Sequence, residues 1–193
     1  MGSGNPEKWL SFYRPFFGNE DQVRDFVASV ETLGPDDRRH AAKIMMHQTL
    51  RLVSLADKVP LILKNSEALQ LLFLLVCAEH IAKLADNYDK DGKSQTYVQN
   101  FFSWFLSPEQ QQQLSFGITG PDREPFTLQQ VVKALYDVRC DVVHEGKYWD
   151  FQFKSGDCPL LSDMIVSLTL AEFRWILVMG CIKAIQTCPM PKT

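Results

Sequence analysis

The chain contains 193 residues, of which 46% are hydrophobic, and it carries a formal net charge of -3 at pH 7. This length and apolar content suit one well-buried core and are short for two, so we predict a single domain over residues 1–193. The negative balance excludes a general attraction to nucleic acid, so any RNA contact must come from a local basic cleft.

The cysteines are odd in number and show no paired spacing, and most fall in stretches with helical periodicity. Such usage favours a reducing compartment. The chain does not begin with a basic stretch followed by an apolar run, so no secretion signal is visible. We therefore expect a cytoplasmic protein. The cysteines are Cys77, Cys140, Cys158, Cys181 and Cys188.

The first third of the chain is predicted to form three amphipathic helices. Pro6 suits the first position of a short aromatic helix, and Asn19 suits the cap of a second. Residues 1–34 are interpreted as helices that pack on the main bundle. A third helix follows Pro35 and runs to about Lys58. Its predicted inward-facing residues are Ala41, Ile44, Met45, Leu52, Leu55 and Ala56.

Residues 66–86 are apolar on nearly every side of a predicted helix, which indicates a central position. Glu79 and Lys83 interrupt this helix before about 20 apolar residues accumulate, so we expect no membrane span. A carboxylate in a buried helix needs a cation. We predict that Glu79 pairs with Arg139 or shares one polar pocket with it, either as a structural ion pair or as part of a catalytic site.

The middle of the chain is predicted to alternate between turns and one aromatic helix. Oxygen-bearing residues in 87–92 resemble half of a calcium loop, but Val98 stands where a bidentate glutamate is required, so a polar turn is expected. Aromatic residues in 97–106 fall at helical spacing, which favours core packing over base stacking. Pro108 is predicted to begin a glutamine-rich turn, and 117–125 a loop.

The clearest helix signal lies between Thr127 and Gly146. Thr127 and Gln130 have the spacing of a capping box, and Gly146 can close the other end in a left-handed conformation. Arg139 borders the apolar stripe of this helix, so it needs an acidic partner, an anionic ligand or an open cleft. The stripe consists of Leu128, Val131, Leu135, Val138 and Val142.

His144 follows Arg139 by five positions, which is about 140° around an ideal helix. The two side chains converge if the helix ends near Val143 or if a symmetry copy meets the pair across a dimer axis. Asp141 shares a stripe with His144, so its carboxylate could accept a hydrogen bond from the imidazole and fix the tautomer. Arg139, His144, Asp141 and Glu79 are therefore the candidate catalytic residues.

The segment from Arg139 to His144, with Leu135 to Val138 before it and Glu145-Gly146 after it, resembles the signature of HEPN-domain proteins. That signature is an arginine and a histidine separated by four to six residues. The resemblance implies an all-helical, usually dimeric domain. Many members look like metal-independent RNA endonucleases in which arginine and histidine from two protomers line one cleft. Others are inactive partners or nucleotide-binding relatives.

RNA is the substrate that the resemblance implies, because its 2′-hydroxyl can attack the adjacent phosphorus without a metal or another cofactor. His144 would act as general base or acid, and Arg139 would neutralise charge on the reacting phosphate. A competing interpretation is a non-catalytic module that binds a nucleotide or pairs as toxin or antitoxin. Cys140, where active members often have a polar residue, and the pI near 5.8 favour it. A third interpretation is a helical scaffold with a bridge between Glu79 and Arg139.

The residues after His144 are predicted to cover this site. Aromatic and polar residues alternate in 149–154, which indicates an extended segment that is either a loop or a short strand. Lys147 and Tyr148 precede it and are the candidates for nucleotide contacts.

The last part of the chain is predicted to form a second central helix. Ser162 would cap it, and residues 163–187 are apolar almost all round. The predicted fold is thus an all-α bundle built around two apolar helices, 66–86 and 163–187. Phosphate-binding glycine loops, dinucleotide fingerprints and zinc-binding helix motifs do not occur in the sequence, so no metal ligands are predicted.

Overall fold

The computed structural model describes residues 6–86, 93–149, 151–153 and 164–188, and this part of the chain is mainly helical. The predicted all-α bundle is confirmed. The described helices are α1 (Pro6–Tyr13), α2 (Glu20–Glu31), α3 (His40–Ile62), α4 (Glu67–Ala85), α5 (Ser94–Phe105), α6 (Pro108–Gly117), α7 (Leu128–Cys140) and α8 (Leu170–Thr187). Two short strands, β1 (Ile118–Thr119) and β2 (Ile165–Val166), pair antiparallel.

Helix α4 lies at the centre of the bundle, as its sequence predicts. It packs against α3, α5, α7 and α8. Within the described residues it is the one helix long and apolar enough to span a bilayer, with a mean hydropathy of 1.7, and 61% of this stretch is buried inside the bundle. Helix α8 packs on α3, α4 and α5 and is the second central helix.

The N-terminal helices pack on the bundle through aromatic side chains. Trp9 and Tyr13 of α1 are buried, and the Tyr13 hydroxyl donates a hydrogen bond to the carbonyl of Met46 at 3.1 Å. Asn19 caps α2 as predicted, because its side chain accepts a hydrogen bond from the Gln22 N–H at 2.9 Å. The hydrogen bond from Tyr13 to Met46 joins α1 to α3.

Two predictions about α3 are wrong. The helix does not stop near Lys58 but continues through Pro60 to Ile62. Leu55, predicted to face inward, is exposed. The buried stripe passes through Leu52, Val53 and Ala56, and Leu55 lies about 100° away from Ala56 on the helix.

The predicted glutamine-rich turn is also wrong, because these residues form helix α6. The Ser107 side chain accepts a hydrogen bond from the Gln110 N–H at 3.3 Å, and the Gln110 side chain accepts one from the Ser107 N–H at 2.9 Å. Pro108 occupies the first helical turn. Serine, proline and glutamine at this spacing are a helix start rather than a stop.

The last helix begins later than predicted. Ile165–Val166 forms β2, in which Val166 pairs with Ile118 of β1. Thr169 then caps α8, and its side chain accepts a hydrogen bond from the Glu172 N–H at 3.2 Å. The predicted cap Ser162 and the predicted turn at 87–92 lie outside the described residues.

The segment after α7, predicted as a loop or a short strand, is a loop at the residues that the structure describes, Trp149 and 151–153. Phe151 and Phe153 are buried and Gln152 is exposed, but Trp149, which should share the buried side, is exposed. The Phe153 N–H donates a hydrogen bond to the Glu67 carboxylate at 2.6 Å. The segment is therefore anchored to the start of α4 by a side chain instead of a strand partner.

Candidate functional site

Helix α7 is framed as its sequence predicts. The Thr127 side chain accepts a hydrogen bond from the Gln130 N–H at 3.3 Å, and the Gln130 side chain accepts one from the Thr127 N–H at 2.9 Å. Val131, Leu135 and Val138 are buried in the core. One face of α7 is thereby fixed, and Arg139 lies at the edge of that face.

The chain after α7 continues as a π turn (Asp141–Glu145), which sequence patterns did not indicate. The N–H of Gly146 donates a hydrogen bond to the Asp141 carbonyl, and Gly146 has a left-handed φ of 67°. A turn closed by bonds between residues five apart winds less per residue than an α turn, so it reduces the angle between Arg139 and His144. Such turns are frequent at functional sites.

Arg139 reaches Glu79 of α4, as predicted. Its Nη2 atom lies 4.0 Å from Glu79 Oε2, and its side chain is 20% exposed. The guanidinium also lies over the ring of Tyr136, 5.1 Å from the ring centroid. A carboxylate and an aromatic face therefore hold the guanidinium while part of it stays open to solvent.

Glu79 joins Arg139 to two further polar side chains. Its Oε1 atom accepts hydrogen bonds from Lys83 Nζ at 2.5 Å and from Ser94 Oγ at 2.7 Å. The Lys83 ammonium lies 5.6 Å from the ring centroid of Tyr97. We refer to Glu79, Lys83, Ser94 and Arg139 as the Glu79 cluster.

The charge state of the Glu79 cluster follows from these contacts. Burial alone would raise the pKa of Glu79, but hydrogen bonds from Lys83 and Ser94 and the positive charges of Lys83 and Arg139 outweigh burial and hold the pKa below its ordinary value. Glu79 is therefore ionised at neutral pH. Two cations share one carboxylate, so the four residues together keep one positive charge.

Lys83 and Ser94 are members that sequence reasoning missed. Lys83 follows Glu79 by four positions on one helix, a spacing that indicates an ion pair and could have identified it. Ser94 lies at the start of α5, and its contact with Glu79 joins two different helices. No sequence pattern signals that contact.

His144 is exposed at the end of the π turn. Within the described residues no hydrogen bond joins its imidazole to Asp141, which is exposed as well, so the predicted orienting bond is not formed. The wider winding of the π turn explains this, because a spacing of three residues no longer stacks side chains as it does on an α-helix. The imidazole is instead free to meet a ligand from solvent.

The two predicted nucleotide contacts lie directly after the π turn. Lys147 forms an ion pair with Glu145, and both side chains are exposed. The hydrogen bond from Lys147 to the Glu145 carboxylate lowers the pKa of Glu145, and the charges of Lys147 and His144 lower it further. The half-buried Tyr148 meets Trp149 edge-on, with ring centroids 5.0 Å apart. The roles of Lys147 and Tyr148 in binding stay predictions.

Two large apolar side chains close to His144 in the sequence are exposed. Val143 is 49% exposed and Trp149 is 57% exposed. The stretch that carries His144 thus also presents apolar side chains to solvent in the single chain. In the described part of the chain, no group of three or more histidine, cysteine, aspartate or glutamate side chains is arranged to hold a metal ion.

Comparison with known proteins identifies no relative. No protein-family model matches the chain, no curated protein matches it, and no solved structure matches it.

Proposed function

We propose that this protein is a HEPN-like, metal-independent endoribonuclease with Arg139 and His144 in its active site. The observation that carries the proposal is a held, partly exposed guanidinium on α7, followed by a π turn that exposes an imidazole. These two groups supply what RNA cleavage needs without a metal, namely charge neutralisation and proton transfer.

The proposed reaction is an attack of the RNA 2′-hydroxyl on the adjacent phosphorus. His144 takes the proton of the 2′-hydroxyl as the new P–O bond forms, and Arg139 neutralises the negative charge that develops on the phosphate. The bond to the 5′-oxygen breaks, and that oxygen receives a proton from an acid. The products are a 2′,3′-cyclic phosphate and a 5′-hydroxyl end.

The reaction needs a base and an acid, and one chain exposes one histidine at this site. A second copy of the chain would bring a second His144 and so provide both. The exposed side chains of Val143 and Trp149 support a contact between copies, because apolar surface beside a polar site is typical of interfaces. We therefore include a homodimer in the proposal.

Glu79 is assigned a positioning role rather than a catalytic one. Its low pKa, set by Lys83, Ser94 and Arg139, leaves it without a proton to donate. Its carboxylate instead orients Arg139 from the buried side. The excess positive charge of the Glu79 cluster suits one phosphodiester, although the chain as a whole is acidic.

RNA cleavage in the presence of a chelator tests this proposal. Wild-type protein is expected to produce 2′,3′-cyclic phosphate ends. The rate should fall by about 100-fold or more for His144→Ala and for Arg139→Ala. Lys133→Ala is the matched control, because Lys133 is an exposed cation of the same helix bound to Asp137.

Two results would defeat the ribonuclease proposal. One is the absence of cyclic phosphate products from wild-type protein, and the other is an equal rate for His144→Ala. A folded Glu79→Gln variant with the full wild-type rate would remove Glu79 from the site while leaving the other residues in it.

A non-catalytic binding module is the second candidate function, and the exposed His144 favours it because, within the described residues, Asp141 does not orient the imidazole for proton transfer. The same surface would then hold a nucleotide, or a cognate toxin or antitoxin protein, without chemistry. Saturable nucleotide binding that Arg139→Ala abolishes, together with intact RNA, would select this candidate over the first.

The proposed place of action is a reducing cytoplasm. The described cysteines Cys77, Cys140, Cys181 and Cys188 are all free. Cys77 and Cys181 place their sulfur atoms 3.9 Å apart in the core without a disulfide bond. Free thiols at this distance support a reducing setting.

A further inference from the structure

A second cationic site lies away from α7, in an open cleft lined by α1 and α3. Its volume is about 510 Å³, which falls in the range of small-molecule sites, roughly 300–1,000 Å³. Helical spacing places most of the lining residues on one face of α3, and one residue comes from α1. The polar lining residues are Lys8, His47, Gln48, Arg51, Ser54 and Lys58.

The cations of this cleft have no acidic partner. Within the described residues Lys8, Arg51 and Lys58 form no ion pair, and no aspartate or glutamate is among the residues that line the cleft. Arg174 of α8, by contrast, is paired with Asp57 at 2.7 Å. In an acidic chain, three unbalanced positive charges at one cleft create a local positive potential that attracts an anion.

Gln48 adds a second and independent feature. Its Oε1 atom is buried and accepts no hydrogen bond within the described residues. A buried acceptor without a donor is unfavourable, so a ligand that supplies an N–H or O–H group would be stabilised once the Gln48 amide turns its oxygen towards the cleft. The cleft thus offers cations for an anionic group and an acceptor for a donor group.

The cleft is also lined by the imidazole of His47 and by the apolar side chains of Leu50 and Leu55. The His47 ring meets Trp9 edge-on with ring centroids 4.6 Å apart, which fixes its orientation. Burial, followed by the charge of Lys43, lowers the pKa of His47, so the imidazole is mostly neutral near pH 7. A neutral, oriented ring beside Leu50 and Leu55 suits the face of a planar group.

We propose that this cleft binds a phosphate monoester of nucleotide size. Lys8, Arg51 and Lys58 bind the phosphate, Gln48 Oε1 accepts a hydrogen bond from a donor on the organic part, and His47 contacts its planar face. The site uses α1 and α3, whereas the Glu79 cluster uses α4, α5 and α7. The assignment is therefore independent of the ribonuclease proposal.

Titration calorimetry of the full chain with adenosine 5′-monophosphate tests the assignment, with inorganic phosphate and adenosine as partial ligands. The nucleotide is expected to bind saturably and more tightly than either part. Arg51→Gln combined with Lys58→Gln should weaken nucleotide binding at least about tenfold and reduce its dependence on salt, with Lys8 as the remaining cation. Lys183→Gln, an exposed and unpaired lysine of α8, should bind as wild type does.

Gln48→Met tests the role of the Gln48 oxygen separately from the role of the cations. Methionine has nearly the same size and lacks the unsatisfied oxygen, so the variant should unfold at the same temperature as wild type or higher. It is expected to bind inorganic phosphate unchanged and adenosine 5′-monophosphate more weakly. Equal nucleotide binding by Gln48→Met and wild type would contradict the assigned role of Gln48.

Three further results would overturn the assignment. The first is equal nucleotide binding by wild type and by the variant that lacks both Arg51 and Lys58. The second is no saturable binding of nucleotide, phosphate or adenosine at millimolar concentration. The third is an RNA oligonucleotide that binds through Arg51 and Lys58 while the mononucleotide does not, which would assign the cleft to a polymer.

Discussion

The Glu79 cluster and the cleft of α1 and α3 both concentrate positive charge in an acidic chain, but they do so differently. In the cluster, Lys83 and Arg139 share one buried carboxylate, and their side chains are 25% and 20% exposed. In the cleft, the cations are exposed and form no ion pair within the described residues. The cluster is therefore a rigid site coupled to folding, whereas the cleft is an attractive surface whose charges contribute little to folding.

Removal of the shared carboxylate should have the largest effect on stability. Glu79→Ala leaves Lys83 and Arg139 without their anion in a partly buried place, so we expect a loss of about 3 kcal/mol in the free energy of unfolding. Urea denaturation of wild type and variant measures this loss. Asp137→Ala, which breaks the exposed pair with Lys133, is the control and should cost less than about 1 kcal/mol.

The rigid character of the cluster would be disproved if both variants lost the same small amount. Glu79 would then be solvated rather than held. The cluster and the cleft would then not differ in how strongly their charges contribute to folding.

Acid should weaken the cluster in a predictable direction. Burial opposes ionisation of Glu79, but Lys83, Ser94 and Arg139 lower its pKa below the ordinary value. The contribution to stability is therefore fully present above the ordinary glutamate pKa of about 4.3 and is lost as pH falls through the lower folded pKa. We expect the stability difference between wild type and Glu79→Gln to stay constant from pH 7 down to about pH 5 and to shrink as the pH falls below about 4.3.

Urea titrations at several pH values measure this difference. If the difference in the free energy of unfolding between wild type and Glu79→Gln stayed constant or widened below about pH 4.3, folding would not lower the pKa of Glu79.

Neutralising the cleft should have the smallest effect on folding. Arg51→Gln with Lys58→Gln removes two exposed charges that have no partner, so the free energy of unfolding should change by less than about 0.5 kcal/mol. Thermal unfolding in parallel with the Glu79 variants provides the measurement. A large loss would reveal a structural role for Arg51 or Lys58 and would remove the contrast between the two regions.

The same contrast explains what sequence could predict. A glutamate in an apolar helix requires a cation, so the pair of Glu79 and Arg139 was predictable although 60 positions separate the two residues. Exposed lysines carry no such requirement. Lys8 and Lys58 meet at one cleft only because α1 packs near α3, and no local pattern shows this.

Capping boxes begin α6, α7 and α8, but the sequence patterns predict only the one at Thr127, where Gly146 also marks the far end. At Ser107 and Gln110 the competing signal is Pro108, which is read as a stop although it suits the first helical turn. The predicted cap Ser162 lies outside the described residues, and the box of Thr169 and Glu172 begins α8. The π turn has no local signature, so the exposure of His144 could be learned only from the structure.

The most direct measurement of the central claim compares an RNA strand with the same strand made of 2′-deoxynucleotides, in a chelator, for wild type and His144→Ala. If Arg139 and His144 promote attack by the 2′-hydroxyl, wild type cuts the RNA to cyclic phosphate ends, leaves the deoxy strand intact, and loses about 100-fold in rate on His144→Ala. Cleavage of both strands alike, or an unchanged rate for His144→Ala, would contradict the account.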